Sequence, residues 1–314
     1  MNLWLIGSGS MARDYAKVLS AQGVPFTVIG RGENSAVQFE RVSGHLVRRG
    51  GLQDFLNRQP LIADAAIVSV GMEALASATT ALINFGVKSI LVEKPAGMTA
   101  LEISDLNAVA QKKEAHVFVA YNRRFYSSVR RAKEIILEDG GVLSFNFEFT
   151  EWAHQIAPLV KAAGVKEHWL LGNSSHVIDL AFYLGGSPVD IHCLREGGLT
   201  WHPSGSIFVG SGKTDRGALF SFQANWGAPG RWGVEVCTAI HRLIFRPIES
   251  LQIMTQGSIA FESVILSDEK IDKDFKPGLF LQVENFLHDT ASNELCQLAE
   301  HARNAELYCQ IAGY

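Results

Sequence analysis

Residues 3–12, LWLIGSGSMA, place a short apolar run directly before a glycine pair and a helix-favouring segment. The spacing is G-x-G-x-x-A, with Ala12 where a third glycine is usual, and it is typical of the first strand, turn and helix of a dinucleotide-binding sheet. Gly7 permits the tight turn, Gly9 lets backbone N–H groups approach a pyrophosphate, and the helix N-terminus faces the anion. The motif indicates a nucleotide site only in this strand-to-helix context, since glycine-rich turns are common. The expected cofactor-binding residues of this turn are Gly7, Ser8, Gly9, Ser10 and Met11.

Apolar runs alternate with helix-favouring segments as far as residue 120 and then give way to longer alternating runs separated by turn signals. The first pattern predicts a doubly wound parallel sheet, and the second predicts sequential antiparallel strands. Thr99 followed by Glu102 is a capping box that opens a helix. We therefore expect an α/β protein with an N-terminal Rossmann domain at 1–120. A C-terminal α+β domain at 121–314 should carry a large, mostly antiparallel sheet and end in two helices, at 280–290 and 294–312.

Composition narrows the class of protein. The 314 residues are 47% hydrophobic and carry a net charge of −4, which gives no basic face for nucleic acid. No apolar run reaches the roughly 18 residues of a membrane span, and no leader-like segment precedes the first strand. The four cysteines are far apart, and His192 with Cys193 lacks ligand spacing, so we expect reduced thiols, no metal and a cytoplasmic protein.

The end of the second predicted strand bears on the choice of cofactor. An NAD site usually has Asp or Glu here to hold the ribose 2′-hydroxyl, whereas this chain has Gly30 and then Arg31, with Ser35 close behind. A cation at this place suits a 2′-phosphate, so NADP is favoured over NAD. Glu33 is the competing ribose ligand, since a short loop could bring its carboxylate to the sugar.

Other polar residues follow the later parallel strands and should meet at the same edge of the sheet. Ser69 ends one strand and Glu93-Lys94-Pro95 ends the next. A lysine beside a proline is held rigidly with its ammonium group free to donate hydrogen bonds. The alternative is a plain salt bridge between Lys94 and Glu93 or another carboxylate. We expect Ser69, Glu93 and Lys94 to contact the cofactor.

Taken together, these motifs resemble the Gfo/Idh/MocA oxidoreductases, a family that includes glucose–fructose oxidoreductase and inositol dehydrogenase. The matching stretches are residues 7–12, E-K-P-A-G at 93–97, N-R-R-F at 122–125, and H-V-I-D-L at 176–180 before L-G-G at 184–186. The resemblance covers essentially the whole chain. It implies NAD(P)-dependent hydride transfer at a secondary alcohol or ketone of a sugar, a cyclitol or a nucleotide-sugar derivative.

The resemblance also assigns roles to residues. Lys94 would contact the nicotinamide ribose and the reacting hydroxyl, Pro95 would fix the turn, often through a cis bond, and His176 would be the acid/base group. Without the resemblance, His176 is more simply a core or capping histidine. Trp152 could line a sugar pocket or be part of the core. The candidate substrate-binding residues are Tyr121, Arg124, Trp152, His168, Asn173 and Asp179.

One position departs from the family. The aspartate that usually stands four residues before this histidine is replaced by Gly172, and the neighbouring Asn173 cannot take a proton. Either His176 works with Lys94 alone, or another residue helps, or the protein is a sensor that binds dinucleotide or sugar without turnover. Asp179 shares a helix face with His176 and could orient the imidazole or form a structural hydrogen bond.

The C-terminal sheet predicts assembly. Phe145, Phe147 and Phe149 alternate onto one face, and the runs at 219–222 and 243–245 suggest strands that are apolar on both faces. Such a surface needs a cover, and the simplest is the same surface of a second copy. We expect a homodimer or homotetramer through this sheet, with 219–222 near the interface. Coverage by the two C-terminal helices is the alternative.

Overall fold

The computed structural model of the protein describes residues 1–266, 269–288 and 294–314, which fall into two units. The first unit contains 1–122 and the described residues of 273–305, and the second contains the described residues of 123–272 together with 306–314. This division differs from the predicted boundary, which assigned everything after residue 120 to the second domain. Segment 273–305 joins the first unit because it supplies a helix and an edge strand to that unit.

A seven-stranded sheet forms the centre of the first unit. Its strands, numbered in chain order, are β1 (Leu3–Ile6), β2 (Phe26–Ile29), β3 (Val47–Arg48), β4 (Ala65–Val68), β5 (Ser89–Glu93), β6 (His116–Ala120) and β15 (Cys296–Gln297). Their order is β15-β6-β5-β4-β1-β2-β3, and β1 to β6 are parallel. The order 3-2-1-4-5-6 is that of a doubly wound dinucleotide-binding sheet, which confirms the predicted fold.

Helices connect these parallel strands. They are α1 (Ser10–Ala21), α2 (Glu33–Ser43), α3 (Gly51–Asn57), α4 (Leu75–Phe85) and α5 (Ala100–Lys112). The predicted N-cap is present, since Thr99 Oγ1 accepts from the Glu102 N–H at 3.1 Å, whereas Glu102 Oε2 accepts from the N–H of Met98, one residue before the N-cap, at 2.8 Å. Helix α2 was not predicted, because its apolar positions are few and only Ala36 and Phe39 are buried.

The C-terminal part of the chain adds α10 (Leu279–His288) and α11 (Leu298–Ala312). Strand β15 precedes α11 and pairs antiparallel with β6, where the sequence predicted only helix from residue 294. The predicted end of the preceding helix at Thr290 lies outside the described residues. Among the described residues, no helix is both long and apolar enough to cross a lipid bilayer.

An eight-stranded sheet forms the centre of the second unit. Its strands are β7 (Ser144–Glu148), β8 (Pro188–Glu196), β9 (Ile207–Thr214), β10 (Leu219–Asn225), β11 (Gly233–Cys237), β12 (His241–Phe245), β13 (Gln252–Thr255) and β14 (Glu262–Ser263). The remaining helices are α6 (Ser127–Glu138), α7 (Ala153–Ile156), α8 (Ser175–Gly185) and α9 (Glu269–Asp274). The strand order is β14-β13-β12-β11-β7-β10-β9-β8, so the first strand lies in the middle. The pairing is antiparallel except between β7 and β10, which confirms the predicted mostly antiparallel sheet.

Helix α8 covers the inner face of this sheet. The Phe182 ring lies 5.9, 5.5 and 5.1 Å from the rings of Phe145, Phe147 and Phe220. A side chain at Gly185 would place its Cβ 2.2 Å from the Phe145 ring, so the helix lies close against β7. Burying each of these phenyl groups contributes roughly 1.5–3 kcal/mol. The aromatic cluster therefore fixes α8, and with it His176, on the sheet.

The outer face of the sheet is more mixed than the sequence suggested. On β10, Phe220 and Phe222 point inward and are buried, whereas Leu219, Ser221 and Gln223 are exposed. The expectation that this strand is apolar on both faces is therefore wrong, because the pleat directs every apolar residue except Leu219 to the core. Assembly through this face stays a prediction.

Candidate functional site

The two glycines of the turn after β1 have different roles. Gly7 has φ +116°, and a Cβ there would lie 2.0 Å from the carbonyl oxygen of Ser69, so no other residue fits. Gly9 is different, because no atom lies within 4 Å of the place its Cβ would take. It is the N-cap of α1 and supplies no side-chain cap. An open, uncapped helix N-terminus is the arrangement that binds a pyrophosphate.

Two other residues of the glycine motif also start α1. Ser10 is exposed at the first helical position, and the sulfur of Met11 lies 3.0 Å from Lys276 Nζ. Ser69 follows β4 beside the turn. Its hydroxyl oxygen is buried and has no hydrogen-bond partner among the described residues. An orphaned buried hydroxyl next to Gly7 fits a ligand that carries hydrogen-bonding groups.

Ser8 and Ser35 link the glycine turn to the start of α2. The two hydroxyl oxygens lie 2.9 Å apart, and Ser35 Oγ donates to the Gly32 carbonyl at 2.9 Å. Because Ser35 has only one hydroxyl proton, Ser8 is the donor in the first bond. A Cβ at Gly30 would lie 2.8 Å from Ser8 Oγ and from Val47, so the end of β2 has no room for the usual acidic side chain.

The charges beside this turn favour Arg31 over Glu33 as the cofactor ligand. Glu33 is held by Arg49, whose Nε lies 2.9 Å from Glu33 Oε2. Arg49 also binds Glu40 at 2.8 Å, and this contact lowers the pKa of Glu40 to about 2. Arg31 is exposed and has no ion pair or hydrogen bond within the described part of the chain. A free cation therefore stands where a 2′-phosphate would be recognised.

The turn after β5 carries Lys94. Its peptide bond to Pro95 is cis, as the resemblance implied. The Glu93 carboxylate accepts from the hydroxyl of Tyr15 on α1 at 2.7 Å. Burial raises the pKa of Glu93 and also raises that of Tyr15. Glu93, expected to contact the cofactor, thus ties the turn to α1, and this contact fixes the backbone next to Lys94.

A histidine that the sequence did not indicate supports the same turn. His301 of α11 is fully buried, and its Nε2 donates to the Pro95 carbonyl at 2.8 Å. Since a carbonyl can only accept, Nε2 carries the proton of this bond, and Nδ1 lies 3.3 Å from the Tyr121 hydroxyl oxygen. Tyr121 is 1% exposed. It was a candidate substrate ligand, and here it supports the Lys94 turn through His301.

In the second unit, a buried carboxylate lies beside the segment that leads into α8. Residues Leu170–Ser174 form a π-helical turn, a feature frequent at functional sites. Glu151 is 2% exposed and accepts from Asn173 Nδ2 at 2.9 Å and from Ser174 Oγ at 2.8 Å. Burial raises its pKa. A carboxylate is thus present beside this turn, although Gly172 has none of its own.

His176 is 8% exposed on the first turn of α8, and its ring faces Trp232 at 6.3 Å. The guanidinium groups of Arg123 and Arg231 each lie 4.8 Å from the Trp232 ring. Arg231 also lies 4.7 Å from the ring of Trp152. Trp152 is 40% exposed, so it belongs to a surface and not to the core. The arginines and Trp232 were not predicted as site residues.

Three other candidate substrate residues are engaged elsewhere in the second unit. Arg124 and Asp179 form a buried ion pair, with Arg124 Nη2 2.6 Å from Asp179 Oδ1 and Nε 2.9 Å from Oδ2. The structural contact, one of the two interpretations of Asp179, is thus present, and orientation of His176 by Asp179 stays a prediction. His168 Nδ1 donates to the Gly164 carbonyl at 2.9 Å, and its ring packs on Tyr314.

Comparison with known proteins identifies solved structures that have the same fold as this chain. No family model and no curated protein matches the sequence. Solved structures do match. Levoglucosan dehydrogenase in complex with NADH and L-sorbose superposes with a TM-score of 0.79 at 18% identity, over 100% of this chain and 96% of that one. The protein shares the fold of this solved structure.

Two further structures agree. An NADPH-dependent oxidoreductase from Desulfitobacterium hafniense gives a TM-score of 0.81 at 16% identity, over 100% of this chain and 95% of that one. UDP-N-acetylglucosamine 3-dehydrogenase from Acidithiobacillus ferrooxidans gives a TM-score of 0.74 at 16% identity, over 100% of this chain and 97% of that one. The predicted resemblance is confirmed at the level of the fold. Activity must be argued from the residues of this chain.

Proposed function

We propose that the protein is an NADP-dependent oxidoreductase that transfers a hydride at a secondary alcohol or ketone of a sugar, cyclitol or nucleotide-sugar derivative. The placement of Lys94 carries the proposal. This residue lies in a fixed turn at the carboxyl end of β5, and the open glycine turn belongs to the same sheet. The solved structures of this fold include dehydrogenases named for levoglucosan and for UDP-N-acetylglucosamine, which supports a sugar-like substrate.

The glycine turn and α1 would hold the pyrophosphate, Ser69 would accept or donate one further hydrogen bond, and Arg31 would pair with the 2′-phosphate. The bound nicotinamide supplies the site that accepts or gives the hydride. Lys94 donates a hydrogen bond to the reacting oxygen and stabilises the negative charge that develops there. In the oxidation direction, His176 takes the hydroxyl proton as the C–H hydride leaves, and the alcohol becomes a ketone.

We further propose Glu151 as the acidic group of the site. Its carboxylate is hydrogen-bonded to Asn173 and Ser174, which directly precede α8. Burial raises the pKa of Glu151, so this carboxyl group holds its proton to a higher pH than an exposed glutamate does. Glu151 would thereby supply the carboxylate that is missing at Gly172.

Cofactor binding and turnover test the proposal separately. Fluorescence titration should show tighter binding of NADPH than of NADH. Arg31→Gln should weaken NADPH binding roughly 10-fold or more and leave NADH binding unchanged, since a charge-assisted contact to phosphate is worth about 1.5–3 kcal/mol. A clear preference of the wild type for NADH would contradict the assignment and point to Glu33.

Turnover is measured by NADPH absorbance with a panel of sugars and nucleotide sugars. Lys94→Met and His176→Gln should abolish turnover and retain NADPH binding. The absence of a carboxylate at Gly172 favours one alternative, a sensor of the same fold. Binding of NADPH and a sugar by the wild type without turnover would favour that sensor.

A further inference from the structure

Two arginines of the second unit converge on one indole ring. The guanidinium groups of Arg123 and Arg231 each lie 4.8 Å from the Trp232 ring, and Arg231 also contacts the face of Trp152 at 4.7 Å. Neither arginine forms an ion pair or a hydrogen bond with any described residue. Arg123 Nε and Trp232 Nε1 are both buried, and both lack a hydrogen-bond partner among the described residues. Two buried donors are therefore left without acceptors among the described residues in one place.

Carboxylates lie near these cations, but among the described residues none forms an ion pair or a hydrogen bond with either arginine. A ring face attracts a guanidinium group but leaves its N–H donors unsatisfied. The nearby carboxylate of Glu151 already accepts hydrogen bonds from Asn173 and Ser174. Burial lowers the pKa of Arg123 and the charge of Arg231 adds to this, whereas Tyr126, Glu249 and Glu151 act in the opposite direction. An anion bound next to the two guanidinium groups would be attracted by both charges and could accept from the two buried N–H groups that lack partners.

We propose that Arg123, Arg231 and Trp232 form an anion subsite that binds a carboxylate or phosphoryl group of the substrate. Within this subsite, the Trp232 ring lies 6.3 Å from the ring of His176. A negatively charged group bound here would therefore fix the orientation of a sugar beside His176, and the half-exposed face of Trp152 would be available to stack on the ring. The proposal rests on the proposed function and narrows its substrates to acidic sugars: sugar acids, sugar phosphates or nucleotide sugars.

Binding of D-glucuronate, D-glucose 6-phosphate and D-glucose, measured by calorimetry, tests the subsite. We expect at least one acidic sugar to bind the wild type about 10-fold or more tightly than D-glucose. Arg231→Gln and Arg123→Gln should each remove that preference, and Arg231→Lys should retain part of it. Arg231 is exposed, so its replacement leaves the core intact.

Two matched variants serve as controls. Arg131→Gln removes an arginine that contacts only carboxylates along α6, and Arg31→Gln removes the cation expected to bind the cofactor. Neither should change the preference for acidic sugars. Preference for D-glucuronate alone identifies a carboxylate, and preference for D-glucose 6-phosphate alone identifies a phosphoryl group.

Three results would overturn the subsite: equal affinity for all three sugars, a preference that survives both arginine variants, or no binding of either acidic sugar up to about 10 mM. The subsite and the proposed function can fail separately. Arginine-dependent binding of an acidic sugar without turnover supports the subsite and contradicts hydride transfer. Turnover of neutral sugars with no preference for acids supports hydride transfer and contradicts the subsite.

Discussion

Replacing His301 by alanine should loosen the turn that carries Lys94, because one buried imidazole binds that turn on one side and Tyr121 on the other. The ring nitrogens lie 2.8 Å from the Pro95 carbonyl oxygen and 3.3 Å from the Tyr121 hydroxyl. The side chain is fully buried. Water therefore cannot replace either contact without rearrangement of the turn.

The expected loss follows from these two contacts. A buried polar group left without its partner costs about 1–3 kcal/mol, and the longer Tyr121 bond should fall at the low end. The ring also leaves a cavity, whose cost adds to that of the two hydrogen bonds. We expect His301→Ala to lower the free energy of unfolding by roughly 3–5 kcal/mol, a large part of the 5–15 kcal/mol typical of a protein.

Urea denaturation, followed by circular dichroism, measures this loss. His301→Gln should recover part of it, since an amide N–H can donate to Pro95, and Tyr121→Phe should cost about 1 kcal/mol because only the weaker bond is removed. For turnover, His301→Ala should lower kcat more than it raises KM for NADPH, because it displaces Lys94. An unchanged unfolding midpoint, or equal losses in His301→Ala and Tyr121→Phe, would refute the reasoning.

Three further predictions concern stability and assembly. Gly7→Ala should cost about 3 kcal/mol or more, because its Cβ would collide with the Ser69 carbonyl at a positive φ. Gly9→Ala should keep the wild-type Tm and weaken NADPH binding; equal losses of Tm in the two variants would contradict this division. Burial raises the pKa of Glu151 in the folded state. Between the unfolded pKa of about 4.3 and the folded pKa, the folded state therefore binds more protons than the unfolded state. The free energy of unfolding consequently falls as pH rises through this interval. Glu151→Gln should remove that fall in urea titrations at pH 5 and pH 8, and identical pH dependence in both proteins would contradict it. Sedimentation at low micromolar concentration should show a dimer or tetramer of the 34.3 kDa chain that Leu219→Asp dissociates; a wild-type monomer would contradict assembly through the sheet.

The parts of the site that could be predicted are local in sequence. The glycine turn, the Glu93-Lys94-Pro95 turn and the N-cap at Thr99 each depend on residues a few positions apart, whose backbone requirements can be recognised directly. The alternation of strands and helices likewise predicted the first sheet.

Contacts between distant positions could not be predicted in this way. Arg123 contacts Trp232, which lies far along the chain just before β11. Glu151 likewise contacts Asn173 across an intervening segment with no motif. Nothing in α11 marks His301 as a partner of Pro95. The two residues of β15 are too few to produce a strand pattern, and the pleat of β10 became clear only once its register was known.

The first unit is built from two separate parts of the chain, and the second of these is synthesised late. Strand β6 ends at Ala120, but the strand that covers its edge, Cys296–Gln297, and the histidine that binds Pro95 come from 296–301. A ribosome therefore completes nearly all of the second unit before it delivers the residues that finish the first. Until then β6 presents an unpaired edge, which is the kind of strand that pairs with other chains. A nascent chain of this protein is therefore most exposed to aggregation after its dinucleotide-binding sheet has formed and before its last helix has emerged.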